Sequence, residues 1–302
     1  MAWRNGVMRD AFSQFHPFIN FGFFVSVIGI SMFIMHPVFL GISLLGAITY
    51  SIYLNGKRAL RFNIFMVVPA LLLMAIINPT FNHRGETILL YVNDNPLTLE
   101  SIIYGVVTAA MLVAMILWFS CYNSVMTSDK FIYIFGRVIP SLSLLFSMVL
   151  RFVPRFKAQI KVISHAQKCI GRDISQGSIW KRAKNGLLIL SIMVTWVLEN
   201  SIDTADSMKA RGYGLRRRTA FSIFRLTKRD QVVGALMSVM VIDIVVGFGI
   251  NMIYSMYIPR ILINETNLGS VLVYCSYFFL CFMPVILNIW EDIKWSYLRS
   301  RM

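Results

Sequence analysis

Charge is scarce in this chain. Of its 302 residues only 14% are Asp, Glu, Lys or Arg, against about 25% in ordinary soluble domains. Acid is scarcer still, with 14 carboxylate residues against 29 basic ones. So thin a charged complement excludes an ordinary soluble globule of this length. Signatures of catalysis are missing too. No Gly-x-x-x-x-Gly-Lys-[Ser/Thr] loop occurs, so the chain does not hydrolyse ATP through a P-loop of its own. Neither His-Glu-x-x-His, Gly-x-Ser-x-Gly nor a kinase set is found, and the chain reads as a non-catalytic subunit. The cysteines Cys121, Cys169, Cys275 and Cys281 form no Cys-x-x-Cys or mixed Cys/His spacing and read as small apolar residues. His16, His36, His83 and His165 are scattered without metal-ligand spacing. Neither a metal nor a cofactor site is expected.

What fills the chain is apolar sequence. Hydrophobic residues make up 57% and the mean hydropathy is +0.66, with runs near the length of about 20 residues that a bilayer-crossing helix needs. Six stretches read as spans: Phe18 to Met35, the stretch after His36-Pro37 to Leu54, Phe62 to Ile77, Ser101 to Tyr122, Val232 to Tyr257 and Ser270 to Trp290. Arg4 and Arg9 ahead of the first run give it the look of a signal peptide, but no small-residue cleavage site follows. The first segment is therefore expected to stay.

The net charge of +15 and pI near 9.9 point first to the excess of cations on the cytoplasmic side, rather than to nucleic acid. Arg4 and Arg9 precede the first span, and Lys57, Arg58 and Arg61 follow the second. Both segments are expected inside. Thr80 to Glu100 holds one arginine, Arg84, against Glu86, Asp94 and Glu100, and is expected outside. Lys294, Arg299 and Arg301 return the C-terminus to the cytoplasm.

Residues Lys130 to Asp230 hold 19 basic and 5 acidic residues, a net of +14. They also contain two apolar patches, Phe131 to Leu150 and Leu187 to Leu198. Were these a further pair of spans, nine cations between Arg151 and Lys184 would face outward with Asp173 as the one acid among them. That arrangement inverts the charge rule. The segment is therefore expected to be a cytoplasmic helical unit whose apolar faces press on the spans or the interface. Val153, Phe156, Ile160 and Ile163 recur at helical spacing among lysines and arginines. A second long helix is expected from Leu187 to Arg211, apolar at first and then polar with Glu199, Asp203 and Asp206.

Met208-Lys209-Ala210-Arg211-Gly212-Tyr213-Gly214 is the sharpest local feature. A glycine takes the left-handed conformation of a helix C-cap cheaply, and Lys209 and Arg211 suit the negative end of the helix dipole. An ordinary helix end leading into the basic loop Arg216-Arg217-Arg218 fits these residues. So does a docking tip, where a guanidinium pairs with a partner's carboxylate and small neighbours admit close approach.

This heptapeptide resembles the second Ala-Arg-Gly motif of the transmembrane T component of energy-coupling factor (ECF) transporters, the EcfT/CbiQ family. Ile202 to Gly214 resembles the family's helix leading into that motif. Arg151-Phe152-Val153-Pro154 with Ala166-Gln167 resembles its earlier coupling helix, and Ile77-Asn78-Pro79 with Gly85 to Leu89 its loop after the third span. The likeness runs over about residues 16 to 258. It implies two long cytoplasmic helices whose tips dock on two ABC-type, EcfA-like ATPase subunits, moving a separate substrate-binding S component in a prokaryotic cell membrane. Ala210, Arg211 and Gly212 would contact one ATPase. At the other tip the pattern departs: Cys169-Ile170-Gly171, then Arg172, stand where Ala-Arg-Gly is expected. Either Lys168 or Arg172 supplies the charge there, or that tip docks through apolar packing.

Asp243 falls mid-span, where a carboxylate costs about 3 kcal/mol on insertion scales and must face protein or water. A packing residue, a substrate or proton path and a partner contact all fit it. The expected architecture is all-α: spans one to four in residues 1–129, a coupling-helix unit in 130–230 and spans five and six in 231–302, with both termini cytoplasmic. The expected function is energy coupling in an ATP-driven importer of a vitamin or metal ion. The competing reading is a self-contained secondary transporter using Asp243.

Overall fold

The computed structural model describes residues 10–82, 85–92, 95–213, 215, 224–264 and 267–300. Arg4, Arg9, His83, Arg84, Asp94, Gly214, Arg216, Arg217, Arg218 and Arg301, on which the sequence reasoning draws, lie outside them. Nine α-helices carry the described chain: α1 Pro17–Phe33, α2 Pro37–Asn55, α3 Lys57–Phe81, α4 Leu99–Val125, α5 Ser128–Val138, α6 Pro140–Cys169, α7 Ile179–Ala210, α8 Lys228–Gly249 and α9 Leu268–Arg299. Two small antiparallel ribbons join them, β1 Ile88–Val92 with β2 Asn95–Thr98, and β3 Ser255–Met256 with β4 Leu262–Ile263. The class is all-α, and the chain is a multi-pass membrane protein.

Two compact units divide the chain, one of residues 1–131 with 224–302, the other Ile132–Ile223. In the first, α2 packs on α4 and α9, α3 on α4, and α8 on α9. Its core is aromatic: Phe12, Phe23, Phe24, Tyr50, Trp118 and Tyr277 are fully or almost fully buried. Hydrocarbon leaves no water to satisfy polar side chains, so those inside the bundle pair with one another. The Ser31 hydroxyl meets those of Ser43 at 2.8 Å and Tyr277 at 2.9 Å, and Trp118 Nε1 donates to Ser43 at 3.0 Å. Glycine sets the closest approach. A Cβ built on Gly105 would lie 2.6 Å from the Met74 carbonyl oxygen, so the backbones of α3 and α4 come close together here.

Two His-Pro pairs start helices. His16 caps α1 by accepting from Phe18 N, and His36 caps α2 by accepting from Val38 N at 3.3 Å, each with proline in the first turn. Proline suits that turn because its missing N–H has no helical partner to lose.

The observed ends differ from the sequence expectations in several places. Asn78-Pro79 lies inside α3, which continues to Phe81 with both Pro69 and Pro79 in the helix. The fifth span stops at Gly249 rather than Tyr257. Asn251 turns left-handed with φ 58°, and Met252 N donates back to Gly247 O at 3.0 Å. The loop after α3 holds a ribbon, tied to the first turn of α4 by Thr87 Oγ1 donating to Glu100 at 2.6 Å.

Six described helices are long and apolar enough to cross a membrane: α2, α3, α4, α7, α8 and α9. The number matches expectation, but the membership differs. α1 is apolar with 17 residues and falls just short, whereas α7 qualifies by its apolar middle. At 1.5 Å per residue α1 spans about 26 Å, near the lower limit for a bilayer core. The patch Phe131 to Leu150 does not form one helix, because Pro140 opens α6 and Ile139 before it leaves the helical conformation.

Candidate functional site

The second unit is built on an antiparallel pair, α6 and α7. Ile163, Ile189 and Met193 are its buried centre, with Phe156, Ile192, Trp196 and Val197 packed around them. Phe156 meets Trp196 edge to face at 6.0 Å, and the Arg155 guanidinium sits over the Trp196 ring while donating to Asn200 at 2.9 Å. Half-buried Phe152 and Phe156 with Ile163 turn inward, whereas Val153 and Ile160 stay exposed. Phe156 and Ile163 thus keep the inward place expected of them, while Phe152 takes it in place of Val153 and Ile160, since side chains at i, i+4 and i+11 share one face.

α7 begins at Ile179, eight residues before the expected start. The connection is held by the Asn185 amide donating to Asp173 O at 3.0 Å and Arg182 Nε donating to Ile174 O at 2.7 Å. Asp173 accepts from Ser175 N at 2.9 Å and lies 3.3 Å from Lys168 Nζ. The Ser175 hydrogen bonds, aided by Lys168, hold its carboxyl down at about 2.

Both helices end in the same backbone device. At the end of α6, Gly171 has φ 79°, its N–H donates to Lys168 O at 3.0 Å, and Arg172 N donates to Gln167 O at 2.9 Å. At the end of α7, Gly212 has φ 78°, its N–H donates to Lys209 O at 2.9 Å, and Tyr213 N donates to Met208 O at 3.0 Å. These paired bonds onto a left-handed glycine are the Schellman cap. The caps place Cys169 in register with Ala210, Ile170 with Arg211, Gly171 with Gly212 and Arg172 with Tyr213. Cys169, Ile170, Gly171, Arg172, Ala210 and Arg211 are all exposed, and Gly212 is half-buried. Because the helices are antiparallel, the two tips stand at opposite ends of the pair. The last ten residues of α7, beyond Asn200, carry its tip about 15 Å onward.

Chemically, Arg211 offers a planar fork of donors suited to a carboxylate, and no acid among the described residues pairs with it. Ile170 offers an apolar knob 68% exposed. Lys168 is engaged by Asp173. Arg172 lies two positions past the register of Arg211, at that of Tyr213.

The family model described as CbiQ, cobalt transport protein, matches residues 17–223. The chain belongs to the CbiQ family. Relatives named energy-coupling factor transporter transmembrane protein EcfT are similar over shorter stretches. That of Bacillus selenitireducens is 35% identical over 96 residues, 32% of this chain and 36% of the relative. That of Lactobacillus helveticus is 34% identical over 100 residues, 33% of this chain and 36% of the relative. Brevibacillus brevis supplies one 31% identical over 110 residues, 36% and 42% of the two chains. The alignments thus span little more than a third of these relatives' lengths.

Within this CbiQ-family chain, Arg151-Phe152-Val153-Pro154 lies inside α6, and Ala166-Gln167 immediately precedes its cap. Ile202 to Ala210 forms the exposed end of α7. Asp243 on α8 is half-buried and accepts from Ser276 of α9 at 2.7 Å, the arrangement of a packing residue. The matching caps put Ile170 at the backbone position of Arg211, the register expected from the Ala-Arg-Gly pattern. The signal is a glycine following each by one residue.

Proposed function

We propose that this chain is the non-catalytic energy-coupling scaffold of an ATP-driven ECF-type importer. Two ABC-type ATPase subunits dock on the tips of α6 and α7, and their closure moves the pair and reorients a substrate-binding S component in the membrane. That component selects the cargo, a vitamin or a metal ion. The second unit and both chain termini lie on the cytoplasmic side of a prokaryotic cell membrane, following the cation excess. Ala210, Arg211 and Gly212 form one ATPase contact, with Arg211 reaching a carboxylate. Cys169, Ile170, Gly171 and Arg172 form the other, which is more apolar.

One observation carries the reading: two long helices of one unit present the same exposed capped tip at opposite ends, as two separate docking partners require. The argument from charge, that residues 155–184 are inside, supports it independently. Arg211→Glu is expected to abolish co-purification of one ATPase and to stop uptake, since a repelled charge replaces a paired one at a desolvated contact. Unchanged co-purification and uptake would end the assignment. Labelling of residues 155–184 from outside intact cells would overturn the topology.

A further inference from the structure

The chain leaves the first unit after Phe131 and re-enters it at Phe224. Close to each crossing stands a buried charged residue, Lys130 on the way out and Asp230 on the way back, 7% and 5% exposed. Lysine and aspartate are almost never fully buried unless something holds them. Here the holder is one short segment near the N-terminus. Lys130 Nζ donates to the Ser13 carbonyl and, at 3.0 Å, to that of Val125. Asn20, with its amide turned to donate to Phe12 O, presents its oxygen to Lys130 Nζ at 2.9 Å. On the return, Asp230 accepts from His16 N at 3.3 Å while completing a capping box with Thr227. Its neighbour Arg229 lies 4.4 Å over the Phe15 ring and pairs with Glu291 of α9 at 2.8 Å.

The segment is itself fastened. Asp10 accepts from Tyr50 of α2 at 2.8 Å and from the Asn288 amide of α9 at 2.6 Å, and Asn288 accepts from Ala11 N at 2.6 Å. Phe12 is fully buried against Phe23. Seven residues, Asp10 to His16, thus touch both crossings and at least three helices of the bundle.

We propose that the Asp10–His16 turn is a common seat for the two chain crossings, and that Lys130 and Asp230 are positioning residues fixing each crossing to it. A local cap on each crossing would have sufficed for helix stability, as the Thr227 box does for α8. Bonds from both crossings to one turn make the displacement of either felt by the other. In the coupling scaffold proposed above, such a seat keeps the second unit's two attachments from moving independently.

The test perturbs one crossing and reads the other by amide hydrogen exchange on the full chain in nanodiscs. Lys130→Met is expected to speed exchange at residues 11–16 and at 227–231, which Lys130 does not touch, roughly tenfold, as suits a lost charged hydrogen bond. Asp230→Asn is expected to do the reverse, reaching residues 126–131, and it serves alone where Lys130→Met does not fold. Lys130→Arg, which keeps the charge and its donors, is expected to restore most of the protection. Faster exchange confined to the altered crossing, in both variants, overturns the common seat. These readouts need no ATPase, so a failed Arg211→Glu test leaves them standing, and the converse holds.

Discussion

Ile170 holds, at the end of α6, the backbone position that Arg211 holds at the end of α7. Each is the last residue before a left-handed glycine, φ 79° at Gly171 and 78° at Gly212. The two tips therefore share geometry and differ in chemistry, one apolar and one cationic at the same point. Under the docking function proposed above, the two ATPase contacts are expected to differ in character.

Ile170→Arg is expected to strengthen the weaker contact and Arg211→Ile to weaken the stronger one. A charge-assisted hydrogen bond contributes about 1.5–3 kcal/mol, so each change should shift ATPase affinity roughly tenfold or more. Binding of purified ATPase to the nanodisc-embedded chain measures both. No change from either variant would show that the cap register does not set the contact.

Gly171→Ala isolates the cap from its surroundings. Nothing lies within 4 Å of a Cβ built there, so the penalty is the left-handed backbone alone, about 1–2 kcal/mol. Gly171→Asn should lose less, because asparagine tolerates that conformation. Exchange rates at the amides of residues 171 and 172 should rise from glycine to asparagine to alanine. Equal rates for all three would mean that the cap is not populated.

Gly105→Ala should destabilise the first unit by about 1–3 kcal/mol, the range for overpacking a filled interior. The added carbon would stand 2.6 Å from Met74 O and 2.9 Å from Asn78 Cβ. Gly41→Ala on α2 meets nothing within 4 Å and serves as the control. Thermal unfolding in detergent should separate the two, and a neutral Gly105→Ala would mean that α3 and α4 approach less closely.

His36 makes stability depend on pH. It lies in the turn between α1 and α2, and burial lowers its pKa from the ordinary 6.5. Nδ1 accepts from Val38 N, so the neutral ring carries its proton on Nε2, which faces Tyr274 Oη at 3.2 Å. The contribution is complete above about pH 6.5, where folded and unfolded rings are both neutral. It declines as pH falls, because only the unfolded ring takes up a proton freely. Burial lowers His16 too, against an opposing pull from Asp230, so it acts in the same direction. Melting temperature should drop between pH 7.5 and 5.5, and His36→Asn should flatten part of that drop by capping without titrating. A flat wild-type profile would contradict the buried neutral rings.

The sequence by itself determined what is local or compositional. Scarce charge and long apolar runs make a membrane protein because hydrocarbon penalises every exposed polar group. The uneven spread of cations sets the expected orientation by simple counting. Gly171, Gly212, the His-Pro pairs and Thr227-x-x-Asp230 mark helix ends because capping is settled within a few residues. Only the tertiary structure decided what depends on partners distant in the chain. It kept Phe156 and Ile163 inward but turned Phe152 in rather than Val153 and Ile160, because α7 supplies the facing surface. It also brought Lys130 to Ser13 across 117 positions and Asp10 to Asn288 across 278. No periodicity or spacing encodes such meetings, since they arise where separate helices converge and buried charges have no other groups to satisfy them.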